Sequence, residues 1–168
     1  MNVEMNLEMD ADVPNDARLS ARVLVFDQDD RILLLQGQSS DGQTFWIMPG
    51  GGLQASEAFS DAAAREVFEE TGLRVKIGPC IWTRRHQFQW KGRLHDQYER
   101  YFVGVTRVSN VNLPSNLTEP DDYIIGYRWW TLKEIAESDE EFVPRSLAQL
   151  LPPILQGNYP TKPFNCGV

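Results

Sequence analysis

The sequence predicts one α/β domain, built as a mixed β-sheet with helices on its faces. Strand-like segments stand on both sides of helical segments, with no internal repeat and no long linker between them. The first strand-like segments are nearly continuous apolar runs, which is typical of strands covered on both faces. With 168 residues, 42% hydrophobic and 24% charged, the chain has the length and composition of a single globular domain.

The first half of the chain predicts a β-hairpin followed by a short strand. Apolar residues at 22–26 and 32–35 flank the turn sequence at 27–30, which predicts two antiparallel strands. Residues 45–48 predict a third strand, which ends at the Pro-Gly-Gly-Gly sequence of 49–52.

A helix is expected from Ser60 to Thr71, a stretch rich in Ala and Glu. Ser60 is a candidate N-cap, and Gly72 stands where a left-handed residue ends a helix. Apolar i,i+4 pairs supply the buried side, namely Ala63 with Val67 and Ala64 with Phe68.

The second half predicts further strands at 73–82, 84–90, 97–105 and 123–130, with Lys91-Gly92-Arg93 between the second and third of them. The Thr131-to-Glu134 spacing is that of a capping box, so a short helix should begin there. A last helix is expected over about 145–155, entered after Pro144.

Composition excludes several classes of protein. Cys80 and Cys166 form neither a spaced metal site nor a disulfide framework. No apolar run approaches the roughly 18 residues of a membrane span, and the N-terminal sequence lacks the layout of a signal peptide. We therefore expect a soluble, cytoplasmic protein that does not bind membranes.

The net charge of −8 is concentrated in two segments. Residues 1–17 hold five acidic and no basic residues, and residues 51–73 hold five acidic residues against Arg65 alone. Without these segments the rest of the chain has a charge of about +1. An acidic protein is a poor candidate for binding duplex nucleic acid, because contact with the phosphates needs a basic stripe. The second acidic segment instead suggests a divalent cation.

Three carboxylates share one face of the predicted helix. Glu66, Glu69 and Glu70 are related by i,i+3 and i,i+4 spacing, at which like charges repel each other. A hard cation such as Mg²⁺ or Mn²⁺ would compensate, because it takes carboxylate oxygens and keeps water or phosphate as its other ligands. The alternative is a solvated acidic helix face with no ligand.

Residues 51–73 resemble the Nudix box, a signature of Nudix hydrolases. That signature is Gly, five residues, Glu, seven residues, Arg-Glu, an aliphatic residue, any residue, Glu-Glu, any residue, Gly and an aliphatic residue. Every position matches: Gly51, Glu57, Arg65, Glu66, Val67, Glu69, Glu70, Gly72 and Leu73. The likeness extends to the lead-in at 46–51 and to the strand-to-helix passage at 128–135, and it covers roughly residues 18–160.

The resemblance implies an α/β/α sandwich with a mixed sheet between helices. It also implies hydrolysis of a nucleoside diphosphate linked to another group X, with a divalent metal, Mg²⁺ or Mn²⁺, as the cofactor. By position, Glu66, Glu69, Glu70 and the Gly50 carbonyl would be the metal ligands.

The catalytic residues implied by the resemblance are Glu66, Arg65 and Glu57. Glu66 would be either a metal ligand or the base that takes a proton from water. Glu57 and Arg65 would form a pair that fixes the other carboxylates.

Candidate substrate-binding residues outside the box are Arg84, Arg85 and Glu99. The two arginines belong to a basic cluster that could contact phosphate, or they could be solvated hairpin residues. Glu99 is an additional ligand or base, as the family often uses, or a strand carboxylate paired with a neighbouring arginine. Asp121 and Asp122 are the alternatives to Glu99 for an additional acidic ligand.

The substrate is expected to be a small-molecule nucleotide or another diphosphate, with a nucleoside triphosphate type as the default. Aromatic residues could stack on a nucleobase or belong to the core; they are Phe45, Trp46, Trp82, Trp90, Trp129 and Trp130. Two other functions stay open: a catalytically silent domain that binds a nucleotide metabolite to regulate another process, and an isoprenoid diphosphate isomerase.

Residues 1–17 are expected to form a flexible acidic tail before a single domain at 18–168. The tail has little apolar surface to offset an ordering cost of about 1–2 kcal/mol per residue. Deleting residues 2–16 should therefore leave both the melting temperature and the turnover nearly unchanged. The competing arrangement is a tail strand that closes the site or joins a homodimer, with one apolar face formed by Val3, Met5, Leu7 and Met9. Loss of dimerisation in size-exclusion chromatography, or of most turnover, would favour that arrangement.

Overall fold

A computed structural model describes residues 12–114 and 123–168. Within these ranges it contains nine strands and three helices. The strands are β1 Arg18–Phe26, β2 Ile32–Gln38, β3 Thr44–Ile47, β4 Gly50–Gly52, β5 Lys76–Trp90, β6 Arg93–Val105, β7 Ile124–Trp130, β8 Phe142–Val143 and β9 Phe164–Asn165. The helices are α1 Phe59–Thr71, α2 Leu132–Glu137 and α3 Leu147–Leu155.

The strands form one mixed sheet around β1. Its order is β8-β3-β2-β1-β6-β5-β9, with β4 also paired to β1 and β7 to β2. β1 runs parallel to β6 along its whole length and antiparallel to β2 and β4. The predicted hairpin of β1 and β2 and the short third strand are confirmed.

Helices cover both faces of this sheet, because side chains of β1 alternate between two cores. Leu24 and Phe26 pack in one core with α2 and α3. Val23 and Val25 pack in the other with the apolar side of α1. The predicted α/β sandwich is therefore confirmed, and its continuous apolar strands have the two-sided burial that their sequence indicates.

The N-terminal end of α1 differs from its prediction. The helix begins at Phe59, and Ala58, which has an extended backbone, is the N-cap without a side-chain hydrogen bond. The prediction of Ser60 as the N-cap was wrong, because Ser60 already lies within the first turn. At the other end Gly72 has a φ of 73°, so the predicted left-handed residue is confirmed.

The predicted pair of strands at 73–82 and 84–90 is a single long strand, β5. Its register against β6 shifts on either side of Cys80, so bulges replace the expected break. β6 begins at Arg93, earlier than predicted. The capping box of Thr131 and Glu134 is present at the start of α2.

The acidic N-terminal segment and the loop before β7 lie largely outside the described residues. The tail face of Val3, Met5, Leu7 and Met9 falls there, as do Asp121 and Asp122. Asp16, which is described, accepts from Arg85 at 3.0 Å, and such an exposed ion pair contributes about 0–1 kcal/mol. In the described part of the chain, no helix is both long and apolar enough to cross a membrane.

Candidate active site

The candidate site lies where the backbone of β4 comes very close to the side chains of α1. A Cβ atom on Gly51 would lie 2.5 Å from the Glu66 carboxyl carbon. A Cβ atom on Gly50, whose φ is +152°, would lie 2.0 Å from the carbonyl oxygen of Ala21. Gly50 therefore requires glycine, whereas a side chain at Gly51 would displace the Glu66 carboxylate, so the backbone of both residues lies against the acidic face of the helix.

Arg65 connects three carboxylates and a backbone carbonyl. Its Nε and Nη2 atoms donate to the two oxygens of Glu57, each at 2.8 Å. Nη1 donates to Glu66 at 2.7 Å and to Glu69 at 3.1 Å, and Nη2 also donates to the Gly52 carbonyl at 3.0 Å. The hydrogen bonds from Arg65 lower the pKa of Glu57 to about 2, so Glu57 is ionised at neutral pH.

The three carboxylates of the predicted metal site lie along one side of α1, but they are held apart. Glu66 and Glu69 both turn to Arg65, while Glu70 accepts from the Gly50 amide at 3.5 Å. Within the described part of the chain, no three His, Cys, Asp or Glu side chains form a group that could hold a metal ion. The donor set still fits Mg²⁺ or Mn²⁺, because it consists of carboxylate and carbonyl oxygens, and Glu66, Glu70 and Gly50 line a common wall.

That wall belongs to a cavity of about 450 Å³. Glu66, Glu70, Gly50 and Gly51 form one side of it. The other sides are formed by β1, β3, the start of β7 and the hairpin of β5 and β6; their side chains include Arg18, Arg22, Phe45, Arg84, His86, Phe88, Trp90, His95, Gln97, Glu99 and Tyr123. Glu69 and Arg85 are not among the lining residues.

Glu99 lines the cavity, is only 1% exposed and has four side-chain donors. Arg22 and Gln97 donate to Oε1 at 3.0 and 3.2 Å, and Arg84 and Tyr101 donate to Oε2 at 2.9 and 2.8 Å. Burial by itself raises the pKa of Glu99, but the charges of Arg22 and Arg84 outweigh burial and lower it to about 2. Glu99 is therefore an ionised carboxylate bound by its neighbours.

The two predicted substrate-binding arginines lie on opposite faces of β5. Arg84 lines the cavity and is 5% exposed, bound to Glu99 and to the Gly167 carbonyl. Arg85 is on the other face, where it binds Asp96 through two nitrogens at 3.1 and 2.8 Å. The structure thus places only one of them beside the site.

Several cavity residues were missed in the sequence. His86 and Phe88 follow Arg84 at period two along β5, as does Trp90, which was predicted either to stack on a nucleobase or to belong to the core, so strand alternation could have placed all of them on one face. Burial and then the charge of Arg84 lower the pKa of His86 to about 4, so its ring is neutral at pH 7. Arg22 was predicted only as part of a strand, although a charge within an apolar run signals a buried partner.

The fold is a mixed α/β sandwich, and its site places an arginine-bridged carboxylate helix against a glycine turn at one wall of a cavity. The chain matches the family model named NUDIX domain over residues 16–151, which is most of its length. The chain therefore belongs to the NUDIX domain family, as the resemblance of residues 51–73 implied.

Curated relatives are similar over part of this chain. Diphosphoinositol polyphosphate phosphohydrolase 2 of Rattus norvegicus is 37% identical over 82 residues, which cover 49% of this chain and 42% of that protein. This chain therefore spans less than half the length of that relative.

Solved structures are similar over more of the chain. The MutT protein from Methanosarcina mazei Go1 is 22% identical with a TM-score of 0.63, covering 82% of this chain and 94% of that one. An Ap4A hydrolase from C. elegans, in a binary complex, is 20% identical with a TM-score of 0.58, covering 84% of this chain and 99% of that one. Both support the fold.

The buried Glu99 cluster predicts a dependence of stability on pH. Because the folded pKa of Glu99 is about 2 and its ordinary value is 4.5, its contribution is complete above pH 4.5 and is lost as the pH falls toward 2. The Glu99→Gln variant should be less stable by about 3–5 kcal/mol near pH 7, since two buried arginines lose their counter-charge. Urea denaturation at several pH values should show the difference from the wild type shrinking below about pH 4. A difference that stays constant down to about pH 2.5 would contradict this role.

Proposed function

We propose that the chain is a divalent-metal-dependent pyrophosphohydrolase that cleaves a diphosphate linkage in a nucleoside diphosphate linked to another group X. One observation carries the proposal: Glu66 and Glu70 line a cavity together with Gly50 and Gly51, while Arg65 ties Glu66 to Glu57 and Glu69. Carboxylates of this number beside an open cavity suit a reaction on a highly charged phosphate substrate.

The metal ligands in this proposal are Glu66, Glu69, Glu70 and the Gly50 carbonyl. A bound Mg²⁺ or Mn²⁺ would neutralise phosphate oxygens and make a water molecule more acidic. Arg65 is the group that orders the ligands, because its planar guanidinium binds Glu57 through two parallel hydrogen bonds and still reaches Glu66 and Glu69.

Two roles remain for Glu66 in this proposal, that of a ligand or that of the base that accepts the proton of the attacking water. Its side chain is 16% exposed and packed against the backbone of Gly51. Either role needs a carboxylate fixed at the cavity wall, which the bond from Arg65 provides.

The cavity walls favour a nucleotide over a diphosphoinositol polyphosphate, the class in the curated relative's name. Phe45, Trp90 and Tyr123 lie together at one side, with ring centroids 5.7 Å apart for Phe45 and Tyr123 and 6.0 Å apart for Trp90 and Tyr123. Flat aromatic surfaces of this kind bind nucleobases by stacking. We propose a nucleoside triphosphate-type substrate on this basis.

The charged side chains of the cavity walls also favour a nucleotide substrate. Among the described residues that line the cavity, the guanidinium groups are those of Arg18, Arg22 and Arg84, and the last two are bound to Glu99. The carboxylates on the walls are those of Glu66, Glu70, Glu99 and Glu141. Such walls offer little positive charge to a substrate with many phosphate groups.

Each of the three proposed carboxylate ligands, Glu66, Glu69 and Glu70, should be needed for turnover. Replacing a group that only orients a metal ligand costs about 10- to 100-fold, so Glu66→Gln, Glu69→Gln and Glu70→Gln should each lower kcat by at least about 100-fold. Phosphate or mononucleotide release, measured with Mg²⁺ and with EDTA, checks this expectation.

The matched control is Asp61→Asn, which removes an exposed carboxylate from the first turn of the same helix. This variant should keep wild-type turnover. Thermal melts with and without Mg²⁺ provide a second measurement, because a ligand of the folded state raises the melting temperature. Metal-dependent turnover that survived all three glutamine substitutions would contradict the assignment.

The substrate class can be tested with a panel of nucleoside triphosphates, dinucleoside polyphosphates, nucleotide sugars, a diphosphoinositol polyphosphate and an isoprenoid diphosphate. A nucleotide should be turned over fastest. Trp90→Ala should raise its KM about 5- to 150-fold at similar kcat, since stacking on one base contributes about 1–3 kcal/mol.

Each other outcome of the panel identifies a different function. Faster turnover of the diphosphoinositol polyphosphate, unaffected by Trp90→Ala, would overturn the nucleotide assignment. Isomerised product without phosphate release would indicate an isomerase, and nucleotide binding without any turnover would indicate a regulatory domain.

A further inference from the structure

The closing segment, residues 164–168, docks beside the candidate site although it lies beyond the residues matched by the family model. Its strand β9 pairs in parallel with β5 at Trp82 and Thr83. The Cys166 amide donates to the Thr83 carbonyl at 2.9 Å, and the Cys166 side chain is buried in the core of α2 and α3. The segment is therefore fixed to the strand that carries Arg84.

Arg84 joins the closing segment to the cavity. Its Nε atom donates to the Gly167 carbonyl at 3.1 Å, and its Nη1 atom donates to Glu99 at 2.9 Å. A planar guanidinium makes both bonds in a fixed relative orientation, so the position of the Gly167 carbonyl helps to set that of the Glu99 carboxylate.

Glu99 in turn connects to the glycine turn through Arg22. Arg22 donates from Nε to Glu99 at 3.0 Å and from Nη1 to the carbonyls of Met48 and Gly50, at 3.2 and 3.3 Å. Arg22 is 6% exposed, and its bond to Gly50 reaches the carbonyl that the proposed function makes a metal ligand.

We propose that Gly167, Arg84, Glu99 and Arg22 form a chain of hydrogen bonds, the positioning relay, that ends at the Met48 and Gly50 carbonyls. This relay holds the Met48-to-Gly50 turn in the geometry that activity requires. The proposal rests on the proposed function only in taking the Gly50 turn as part of the active centre. Arg84 and Glu99 are then positioning residues, in place of the substrate-binding roles that the sequence suggested for them.

The energetics of buried charge explain why such a relay transmits position. Arg22, Arg84 and Glu99 are each at most 6% exposed, so a lost partner leaves a charge or a polar group without compensation. A displaced Gly167 carbonyl therefore requires Arg84 to move, and Glu99 and Arg22 must follow to keep their hydrogen bonds. Packed networks of this kind shift between discrete arrangements instead of deforming smoothly.

The test is a substitution that displaces the backbone carbonyl of Gly167. Gly167 has a φ of +81°, and a Cβ atom there would meet no atom within 4 Å, so Gly167→Val acts through backbone strain alone. Gly157 is the matched control, because it has a φ of +76° and equally open surroundings but no bond to Arg84. Gly157→Val should therefore cause similar strain without disturbing the relay.

Two measurements are made on both variants at temperatures well below their melting points. Hydrogen exchange of the metal-free protein should be faster in the peptide that contains residues 48–52 for Gly167→Val and unchanged for Gly157→Val. In steady-state assays Gly167→Val should lower kcat about tenfold and leave KM within about twofold, as expected for a lost orienting contact. A change in stability alone would not produce this separation of kcat from KM.

The second part of the test measures whether Gly167 and Glu99 act together. If both residues act in one relay, adding Gly167→Val to Glu99→Gln should change exchange and kcat by less than about twofold beyond Glu99→Gln alone. Multiplicative effects, or a Gly167→Val variant that behaves like Gly157→Val, would overturn the relay. A wild-type protein without hydrolase activity would instead contradict the proposed function, and the exchange measurement would still test the relay.

Discussion

The buried ion cluster around Glu99 is the interaction on which the architecture of the site depends. A carboxylate that is almost entirely removed from water must keep cationic partners. Here Arg22 and Arg84 approach Glu99 from β1 and β5, the two strands that pair with β6. On the same face of the sheet, Leu24 and Phe26 continue β1 into an apolar core. One sheet face is thus divided into a packed core at one end and a polar cavity at the other.

The acidic helix meets this cavity from the other side of β1. Self-repulsion of the box carboxylates would work against the helix, and Arg65 offsets it by binding Glu57, Glu66 and Glu69 together. Because Gly51 has no side chain, Glu66 can pack directly on β4. The site is therefore assembled from two charge clusters, one local to the helix and one that joins distant strands, and the Gly50 turn is bonded to both.

The local cluster could be predicted from the sequence, whereas the distant one could not. The box spans 23 residues, and helix periodicity alone places its carboxylates on one face. The same local rules gave the strands around the hairpin, the capping box at Thr131 and the left-handed Gly72. They failed for Ser60, because the chain enters α1 through an extended Ala58 and needs no side-chain cap there.

The pairs that build the cavity are separated too far along the chain for periodicity to specify them. Arg22 and Glu99 are 77 residues apart, and they meet only because β1 and β6 run in parallel register. The choice between Arg84 and Arg85 was likewise a matter of one residue of register, since strand neighbours face opposite sides of the sheet. The predicted roles of both arginines were drawn from their charge, which says nothing about the face on which each would lie.

The local cluster on α1 and the distant cluster around Glu99 therefore have different roles in the site. The helix brings Glu66, Glu69 and Arg65 together, and Arg65 binds Glu57 as well. The surrounding strands decide how firmly the Gly50 turn is held and what the cavity admits. In this chain those strands bring two arginines that are already bound to Glu99, a neutral His86 and a set of aromatic rings. Two of the three arginines among the described cavity residues are therefore bound to an internal carboxylate, and aromatic rings form part of the cavity wall.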